Sequence, residues 1–201
     1  MTDTTRPGCV VRRRASQEAR TRGAEGRPPT GGRRYRPVRS ADTNASMTDT
    51  VSVGARAPEF SLRDQYGQDT VLSALRGGPV LVVFYPLAFS GVCSGELADL
   101  REHHDVLRGL GVTVLAVSVD STFALRTWSD REGFPFALLS DFWPHGGVAR
   151  EYGVLDEGRG VARRGTFLID AEGVVRWTAH TAVDRPRDVE EYVAQARHLA
   201  G

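Results

Sequence analysis

Three short runs rich in Val, Leu and Phe alternate with amphipathic stretches along the central part of the chain. The runs lie at residues 80–85, 112–119 and 136–139, and their nearly continuous apolar character predicts strands that are covered on both faces. Helical periodicity follows the first two runs, from about residue 91 to 108 and from residue 122 to 131. This alternation predicts a β-α-β-α-β order.

Turn signals predict two hairpins and a last helix around this central part. Tyr66-Gly67-Gln68 is predicted as the turn of a small hairpin that starts near residue 57, and a strand, a tight turn and a second strand are predicted within residues 165–179. Residues 185–199 are predicted as an amphipathic helix. We therefore expect an α/β protein with a central mixed β-sheet and helices on both faces, the arrangement of a thioredoxin-like fold.

Charge is distributed unevenly, and the imbalance predicts a domain boundary near Met47. The whole chain has a formal net charge of +1, but residues 1–46 hold 11 Arg against 4 acidic residues and few large apolar side chains. Such a segment buries too little apolar surface to offset its chain entropy, so we expect residues 1–46 to be a disordered, Arg-rich extension. Residues 47–201 are then expected to form one thioredoxin-like domain.

Three interpretations of residues 1–46 remain open. The sequence Met47-Thr-Asp-Thr repeats the opening Met1-Thr-Asp-Thr, which favours a mis-assigned start upstream of a protein that begins at Met47. An arm that binds nucleic acid is the second interpretation, and an organelle transit peptide is the third, although no amphipathic period supports it. No apolar stretch of signal-peptide length lies near Met1, and we expect a cytoplasmic protein.

Composition excludes several classes of chemistry. Two cysteines in 201 residues exclude a disulfide scaffold and a four-thiolate zinc site. All 26 basic residues are Arg, so Schiff-base catalysis by lysine is excluded. No run of about 18 apolar residues is present, and we expect no membrane partner. His103 and His104 lack a nearby Cys or a spaced acidic partner, which predicts surface helix positions rather than a metal site.

The strongest chemical signal lies just after the first predicted strand, between Pro86 and Cys93. Ligand sites of open α/β sheets lie beyond the carboxyl ends of the strands, and this segment leaves one such end. Cys93 is predicted at the start of a helix, where unpaired N–H groups and the helix dipole favour a thiolate. Ser90 lies about one turn upstream, within reach of the sulfur or of an oxygen bound beside it, and Pro86 offers the pocket no N–H donor.

Pro86, Ser90 and Cys93 match the motif Pro-x-x-x-Thr/Ser-x-x-Cys, and with it the chain resembles the peroxiredoxin family from about residue 50 to residue 200. The Ser-Val-Asp at residues 118–120 and the segment that starts with Arg164-Gly-Thr-Phe lie where that family has them. The segments PLAFSGVCSGELADLR and SDFWPHGGVAREYGV are similar to the one-cysteine, alkyl hydroperoxide reductase E type of actinobacteria. The resemblance implies a thiol-dependent peroxidase that reduces hydrogen peroxide, organic hydroperoxides and peroxynitrite.

The same resemblance implies the roles of individual residues. Cys93 would be the peroxidatic cysteine, which attacks the terminal oxygen of the peroxide and becomes a sulfenic acid. Arg164 would lie against the thiolate and help to hold the peroxide and the departing oxyanion. Arg163 is adjacent, but neighbours on a strand point to opposite faces, and the motif favours Arg164. Glu96 would orient Arg164 through an ion pair, or would be a solvated residue on the helix surface.

Each of these residues also has a purely structural interpretation. Ser90 is a suitable helix N-cap, a role that is compatible with catalysis, and Pro86 can simply end the strand. Cys93 could be an inert packing residue, but its position after Pro and Ser favours the reactive interpretation. Trp143 is expected to pack a loop or a dimer contact rather than to bind substrate.

No cysteine follows Cys93, so the predicted peroxidase is of the one-cysteine type. Cys9 is the other thiol, and pairing it with Cys93 would require closing a loop of more than 80 residues. We expect Cys9 to be incidental and the sulfenic acid to be resolved by an external thiol. By resemblance that reductant is mycothiol with a mycoredoxin, or another small thiol or redoxin, and we expect no bound cofactor or metal.

Two other functions remain open from the sequence. A peroxide-sensing switch or binding module would use the same sulfenic acid as a signal, and the number of turnovers per Cys93 would distinguish it from an enzyme. A thiol–disulfide oxidoreductase on the same fold is disfavoured because the chain has no Cys-x-x-Cys. We expect a homodimer with a peroxide substrate and a thiol or redoxin reductant, and nucleic acid is disfavoured as a partner.

Overall fold

The computed structural model describes residues 50–183 and 185–201, which fold around a seven-stranded sheet. The strands of this region, in chain order, are β1 Ser61–Arg63, β2 Asp69–Val71, β3 Val80–Phe84, β4 Thr113–Ser118, β5 Ala137–Ser140, β6 Leu155–Asp156, β7 Val161–Ala162, β8 Arg164–Ile169 and β9 Val175–Thr181. Its α-helices are α1 Gly91–Gly109, α2 Thr122–Glu132, α3 Gly147–Glu151 and α4 Val189–Ala200, and a short 3-10 helix spans Leu72–Leu75. β6 and β7 pair with each other outside the large sheet.

The strand order across the large sheet is β2-β1-β5-β4-β3-β8-β9. β3, β4 and β5 run parallel because α1 and α2 return the chain between them, whereas β8 pairs antiparallel with both β3 and β9. Val82 in β3 lies opposite Leu115 in β4 on one side and opposite Phe167 in β8 on the other. The predicted central mixed sheet is confirmed, and β3 has a neighbour on each side.

The two faces of β3 belong to two different parts of the core. Leu81 and Val83 pack with buried residues of α1, α2 and α4, whereas Val82 and Phe84 pack on the opposite face with residues of α3 and the 3-10 helix. Helices therefore cover both faces, as predicted, with the three longer ones on the same face. The apolar sides predicted for α1 and α4 are confirmed as buried, at Leu97, Leu100, Leu107, Val189, Tyr192, Val193 and Ala196.

Three short elements were not predicted from the sequence: the 3-10 helix, α3 and the hairpin of β6 and β7. The 3-10 helix, α3 and each strand of this hairpin are only two to five residues long, which is too short for a periodic pattern to show. Tertiary contacts determine them instead. The buried carboxylate of Asp141, for example, accepts hydrogen bonds from the N–H groups of Val148 and Ala149 at 3.1 and 2.9 Å and so holds the start of α3.

The last helix begins later than predicted. α4 starts at Val189 rather than at residue 185, because the extended backbone of Asp188 precedes it and the Asp188 side chain accepts the N–H of Glu190 at 2.9 Å. The residues just before Val189 are therefore not part of the helix, and Arg187 among them is buried.

The predictions for residues 1–46, and with them the role of Cys9, lie outside the described residues and stay predictions. Within residues 50–183 and 185–201, no helix is long and apolar enough to cross a membrane.

Candidate active site

Cys93 is the third residue of α1, and its thiol is fully buried on the face of the sheet that α1 covers. The chain reaches it directly from β3, which ends at Phe84, through a loop that starts near the buried Pro86. Ser90 is the N-cap of α1, and its Oγ accepts the N–H of Cys93 at 3.4 Å. Ser90 and Cys93 are therefore held within one turn, as their spacing predicts.

Arg164 brings a positive charge to the sulfur. It is the first residue of β8, and because Gly165 lies opposite Phe84, Arg164 stands beside the carboxyl end of β3. Its Nη2 donates to Cys93 Sγ at 3.3 Å, and its Nε donates to the carbonyl oxygen of Val183 at 2.9 Å. Arg164 is only 2% exposed, so little water screens its charge from the sulfur.

Glu96, one turn after Cys93 on α1, holds the guanidinium of Arg164. Its Oε2 accepts a hydrogen bond from Arg164 Nη1, and both side chains are buried. Arg187 binds the same carboxylate: its Nε donates to Oε1 at 2.7 Å, its Nη2 donates to Oε2 at 3.0 Å, and its backbone N–H donates to Oε1 at 2.9 Å. Two arginines therefore share one carboxylate, which fixes both guanidiniums.

The buried cluster of Cys93, Glu96, Arg164 and Arg187 holds two guanidiniums and one carboxylate. Burial raises the pKa of Glu96, but the hydrogen bonds and charge of Arg187, together with the charge of Arg164, outweigh it and hold that pKa below its ordinary value. The carboxylate is thus ionised at neutral pH and balances one guanidinium. The second guanidinium has no carboxylate of its own in this cluster.

Hydrogen bonds continue from Arg187 to β8 and α4. Arg187 Nη1 donates to Thr166 Oγ1 at 2.9 Å, and Thr166 Oγ1 lies 2.9 Å from the hydroxyl oxygen of Tyr192. Thr166 is two residues after Arg164 on β8, so the two side chains lie on the same face of the sheet. We call the connected side chains of Tyr192, Thr166, Arg187, Glu96, Arg164 and Cys93 the buried hydrogen-bond network.

Phe89, in the loop before α1, has a backbone conformation that few side chains adopt. Its φ is +62°, and it is the one non-glycine residue in the described ranges with a positive φ. Its ring packs on Trp128 with 5.8 Å between centroids. Backbone strain of this kind clusters at functional sites. Cys93, four residues further on, has no exposed surface in this structure.

The structure brings Cys93, Glu96 and Arg164 into one cluster and places Ser90 and Pro86 in the segment that leads to it. Of the two interpretations of Glu96, the buried ion pair is the one observed, and the solvated position is wrong. Arg163 turns to the other side of the sheet, where its Nη2 donates to the carbonyl oxygen of Gly153 at 2.9 Å.

Arg187 is the site residue that the sequence analysis missed. It lies 91 residues from Glu96 in the chain, just before the N-cap of α4. The segment Arg185-Pro-Arg187 has no spacing or motif that distinguishes one arginine from the other. Only the fold shows that Arg187 is buried, whereas Arg185 is exposed.

Trp143 and the two adjacent histidines lie apart from this cluster. Trp143 is 81% exposed, so it packs little against its own chain, and the expected alternative, a dimer contact, stays a prediction. His103 and His104 are partly exposed on α1, and the Nδ1 of His103 is 2.8 Å from the carbonyl oxygen of Asp99. In residues 50–183 and 185–201, no group of three or more His, Cys, Asp or Glu side chains is arranged to hold a metal ion.

Comparisons with known proteins show which sequences and structures this chain resembles. The model of the AhpC/TSA family matches residues 53–178. Alkyl hydroperoxide reductase E of Mycobacterium tuberculosis, and that of Mycobacterium bovis, is 45% identical over 139 residues, which cover 69% of this chain and 91% of the relative. A selenocysteine-containing peroxiredoxin of Peptoclostridium acidaminophilum is 37% identical over 155 residues, which cover 72% of this chain and 75% of that protein.

Solved structures show the same fold. The crystal structure of AhpC from Enterococcus faecalis matches with a TM-score of 0.69 and 29% identity, over 74% of this chain and 92% of that chain. The peroxidoxin BcpB from Mycobacterium tuberculosis matches with a TM-score of 0.67 and 26% identity, over 74% of this chain and 98% of that chain. The expected thioredoxin-like α/β fold is thereby confirmed.

Proposed function

Since the chain belongs to the AhpC/TSA family of peroxiredoxins, we propose that Cys93 is the residue oxidised in its peroxidase reaction. The chain is a thiol-dependent peroxidase, an oxidoreductase with a peroxide as substrate and a thiol as reductant, and it uses no prosthetic group. These relatives favour an enzyme over the alternative of a peroxide sensor. The assignment of Cys93 rests on the buried cluster around its sulfur.

In the proposed reaction the thiolate of Cys93 attacks the terminal oxygen of the peroxide. A sulfur–oxygen bond forms while the oxygen–oxygen bond breaks, the sulfur loses two electrons and becomes a sulfenic acid, and the leaving alkoxide or hydroxide takes up a proton. Arg164, whose Nη2 lies 3.3 Å from Sγ, stabilises the thiolate before the attack and the charge that moves to the leaving oxygen during it.

Three further residues assist this step in the proposed mechanism. Glu96 keeps the guanidinium of Arg164 in place through its buried ion pair. Ser90 accepts the N–H of Cys93, and the same hydroxyl can donate its hydrogen to an oxygen of the bound peroxide. Pro86 has no N–H group that would compete for that oxygen.

The observation that carries the proposal is the contact of 3.3 Å between Arg164 Nη2 and Cys93 Sγ inside a buried cluster. The test is to add peroxide in the presence of dimedone, which traps sulfenic acids, and to locate the adduct by mass spectrometry. We expect the adduct on Cys93, and many turnovers per chain when thiol is in excess. A single oxidation per chain would indicate a sensor, and the absence of the adduct from Cys93 would contradict the proposal.

We also propose the one-cysteine type for this enzyme. Cys93 is the one free cysteine in the described ranges, and no cysteine follows it in the chain. An external thiol then attacks the sulfenic acid, so that a disulfide forms and water leaves, and a second thiol releases Cys93. The similarity to mycobacterial relatives supports mycothiol with a mycoredoxin as the donor.

Recovery of the thiol after oxidation tests this part of the proposal. We expect mycothiol with a mycoredoxin to restore the Cys93 thiol faster than glutathione with a glutaredoxin does. A disulfide between Cys9 and Cys93 in the oxidised protein would contradict the one-cysteine type.

A homodimer is proposed on the basis of an exposed aromatic surface. Phe123, Phe142 and Trp143 are 83%, 54% and 81% exposed and line one cleft of about 520 Å³. Large apolar side chains that lie together on a surface commonly mark an interface. The ion pair of Arg63 and Asp69 borders the same cleft. In a dimer with a twofold axis, Arg63 of each copy can face Asp69 of the other copy.

Analytical ultracentrifugation tests the homodimer. We expect the parent chain to sediment as a dimer and Trp143→Glu to sediment as a monomer. Val53→Glu is the matched control, because Val53 is also an exposed apolar residue but does not line the cleft. A monomeric parent chain would overturn the proposed dimer.

Residues 47–201 are proposed to carry the whole activity. The family match begins at residue 53, which leaves residues 1–46 outside it. A protein that begins at Met47 should therefore equal the 201-residue chain in peroxidase rate, and the intact mass of the natural protein should correspond to a start at Met47. We propose the cytoplasm as its location, because thiol reductants are kept reduced there.

A further inference from the structure

The hydroxyl group of Tyr192 lies at the outer end of the buried hydrogen-bond network, on a different helix from Cys93. We propose that Tyr192 is a positioning residue for the reaction at Cys93, which acts by fixing Thr166 and, through it, the two arginines that share Glu96. This inference rests on the proposed role of Cys93. It concerns a side chain that does not itself touch the sulfur.

The first link is the contact between two buried hydroxyl groups. Tyr192 is on the face of α4 that packs against the sheet, and its hydroxyl oxygen lies 2.9 Å from Thr166 Oγ1. Thr166 has one hydrogen and two lone pairs, and Arg187 Nη1 occupies one lone pair at 2.9 Å. Whichever of the two hydroxyls donates, the contact with Tyr192 determines how the Thr166 hydroxyl is rotated towards Arg187.

The second link is the attachment of Arg187 to both oxygens of Glu96. Arg187 Nη2 donates to Oε2 at 3.0 Å, and Arg164 Nη1 donates to the same oxygen. A tilt of the Arg187 guanidinium therefore displaces the carboxylate oxygen that holds Arg164. Because Arg164 Nη2 contacts Cys93 Sγ, that displacement changes the hydrogen bond to the reacting sulfur.

Tyr192 acts in this arrangement as a neutral hydrogen-bonding group. Burial, partly offset by the charge of Arg187 and the hydrogen bond to Thr166, raises the pKa of Tyr192 to about 12, so the phenol keeps its proton at neutral pH. The ring of Trp177 packs edge-on against the Tyr192 ring, with 5.7 Å between centroids, and limits its movement. The phenol is thus held rigidly enough to orient its partner.

The test compares Tyr192→Phe with a matched control, Tyr152→Phe. Tyr152 is also fully buried, and its hydroxyl donates to the carbonyl oxygen of Pro58 at 2.9 Å, but it packs on the opposite face of the sheet. Each variant loses one hydroxyl from a buried ring. We measure the rate of Cys93 oxidation by hydrogen peroxide across a pH series, in the 201-residue chain, with urea unfolding of each variant.

We expect Tyr192→Phe to be oxidised about three- to tenfold more slowly at neutral pH, which corresponds to one hydrogen bond of ordinary strength. Its pH–rate profile should move to higher pH, because Arg164 stabilises the thiolate less well. Tyr152→Phe should keep the rate and the profile of the parent. Thr166→Val, which removes the middle of the network, should shift the profile in the same direction as Tyr192→Phe.

A parental pH–rate profile in Tyr192→Phe would overturn the inference and leave Tyr192 with a packing role only, whether or not Thr166→Val shifts the profile. If Tyr192→Phe is less stable in urea but keeps the parental pH–rate profile, Tyr192 likewise has a packing role only. If the parent chain itself shows no oxidation at Cys93, the proposed function fails first, and that result is distinct from the failure of Tyr192.

Discussion

Arg164 and Arg187 donate hydrogen bonds to the same carboxylate, although they come from different elements of the fold. β8 supplies Arg164, the segment before α4 supplies Arg187, and α1 supplies both Glu96 and Cys93. The positive charge beside the sulfur is therefore assembled only when these elements pack together. Each part of the arrangement can be tested by a substitution paired with a control elsewhere in the chain.

The first prediction concerns the two cysteines. Cys93→Ser should abolish peroxide turnover, because a serine hydroxyl does not ionise at neutral pH and cannot form a sulfenic acid. Cys9→Ser is the control and should retain nearly the whole rate. The measurement is peroxide consumption in the presence of excess thiol. Turnover by Cys93→Ser would show that the reaction takes place elsewhere.

The second prediction concerns the charge beside the sulfur. Arg164→Ala should slow the oxidation of Cys93 by about 100-fold or more at neutral pH, since it removes a donor to the thiolate and to the leaving oxygen. Part of the loss should be recovered at higher pH, where the thiol ionises without help. Stopped-flow oxidation across a pH series measures both effects.

Arg163→Ala is the matched control for this change. Arg163 is the adjacent arginine, and its side chain turns to the other side of the sheet. Its variant should react at the parental rate. If Arg163→Ala slows the reaction and Arg164→Ala does not, the roles of the two arginines are reversed.

The third prediction separates the two roles of Ser90. Ser90 caps α1 and Ser121 caps α2 with the same geometry, since each Oγ accepts an N–H group three residues further on at 3.4 Å. Ser90→Ala and Ser121→Ala should each lower the free energy of unfolding by about 1 kcal/mol. Only Ser90→Ala should also slow the reaction with peroxide. Equal rates in both variants would reduce Ser90 to a helix cap.

The fourth prediction concerns acid stability. The pKa of Glu96 in the folded protein lies below its ordinary value of 4.5, so near that pH the unfolded chain binds more protons than the folded one. The stabilisation from Glu96 is therefore complete above about pH 4.5 and is lost as the pH falls below it. Urea unfolding at a series of acidic pH values measures this loss.

Glu96→Gln removes the titrating group, so its stability should depend less steeply on acidic pH than that of the parent. The variant should also be less stable at neutral pH by about 3 kcal/mol, because two buried guanidiniums lose their counter-charge. Glu157→Gln is the control: the exposed ion pair with Arg150 also lowers the pKa of Glu157, but solvent screens this pair, so the variant should change the acid dependence much less than Glu96→Gln does. An unchanged acid dependence in Glu96→Gln would contradict the assignment.

Predictions from local pattern succeeded where an element is long enough to bury a face. The unbroken apolar run of β3 and the apolar spacing of α1 were sufficient to predict both elements, and the order of the elements predicted the mixed sheet. The same approach missed α3, which is five residues long and is held by the distant carboxylate of Asp141. Such an element depends on tertiary contacts more than on its own sequence.

For the candidate site, the sequence predicts which residues lie close together along one helix, whereas the fold determines which distant residues meet them. By itself, the sequence determined that Ser90, Cys93 and Glu96 share the first turns of one helix, because spacing along a helix is set by its 3.6-residue period. Only the tertiary structure decided that Arg187 and Tyr192 join them, and that Glu96 is buried rather than solvated. The order and register of the strands bring these distant residues together, and no local spacing encodes that contact.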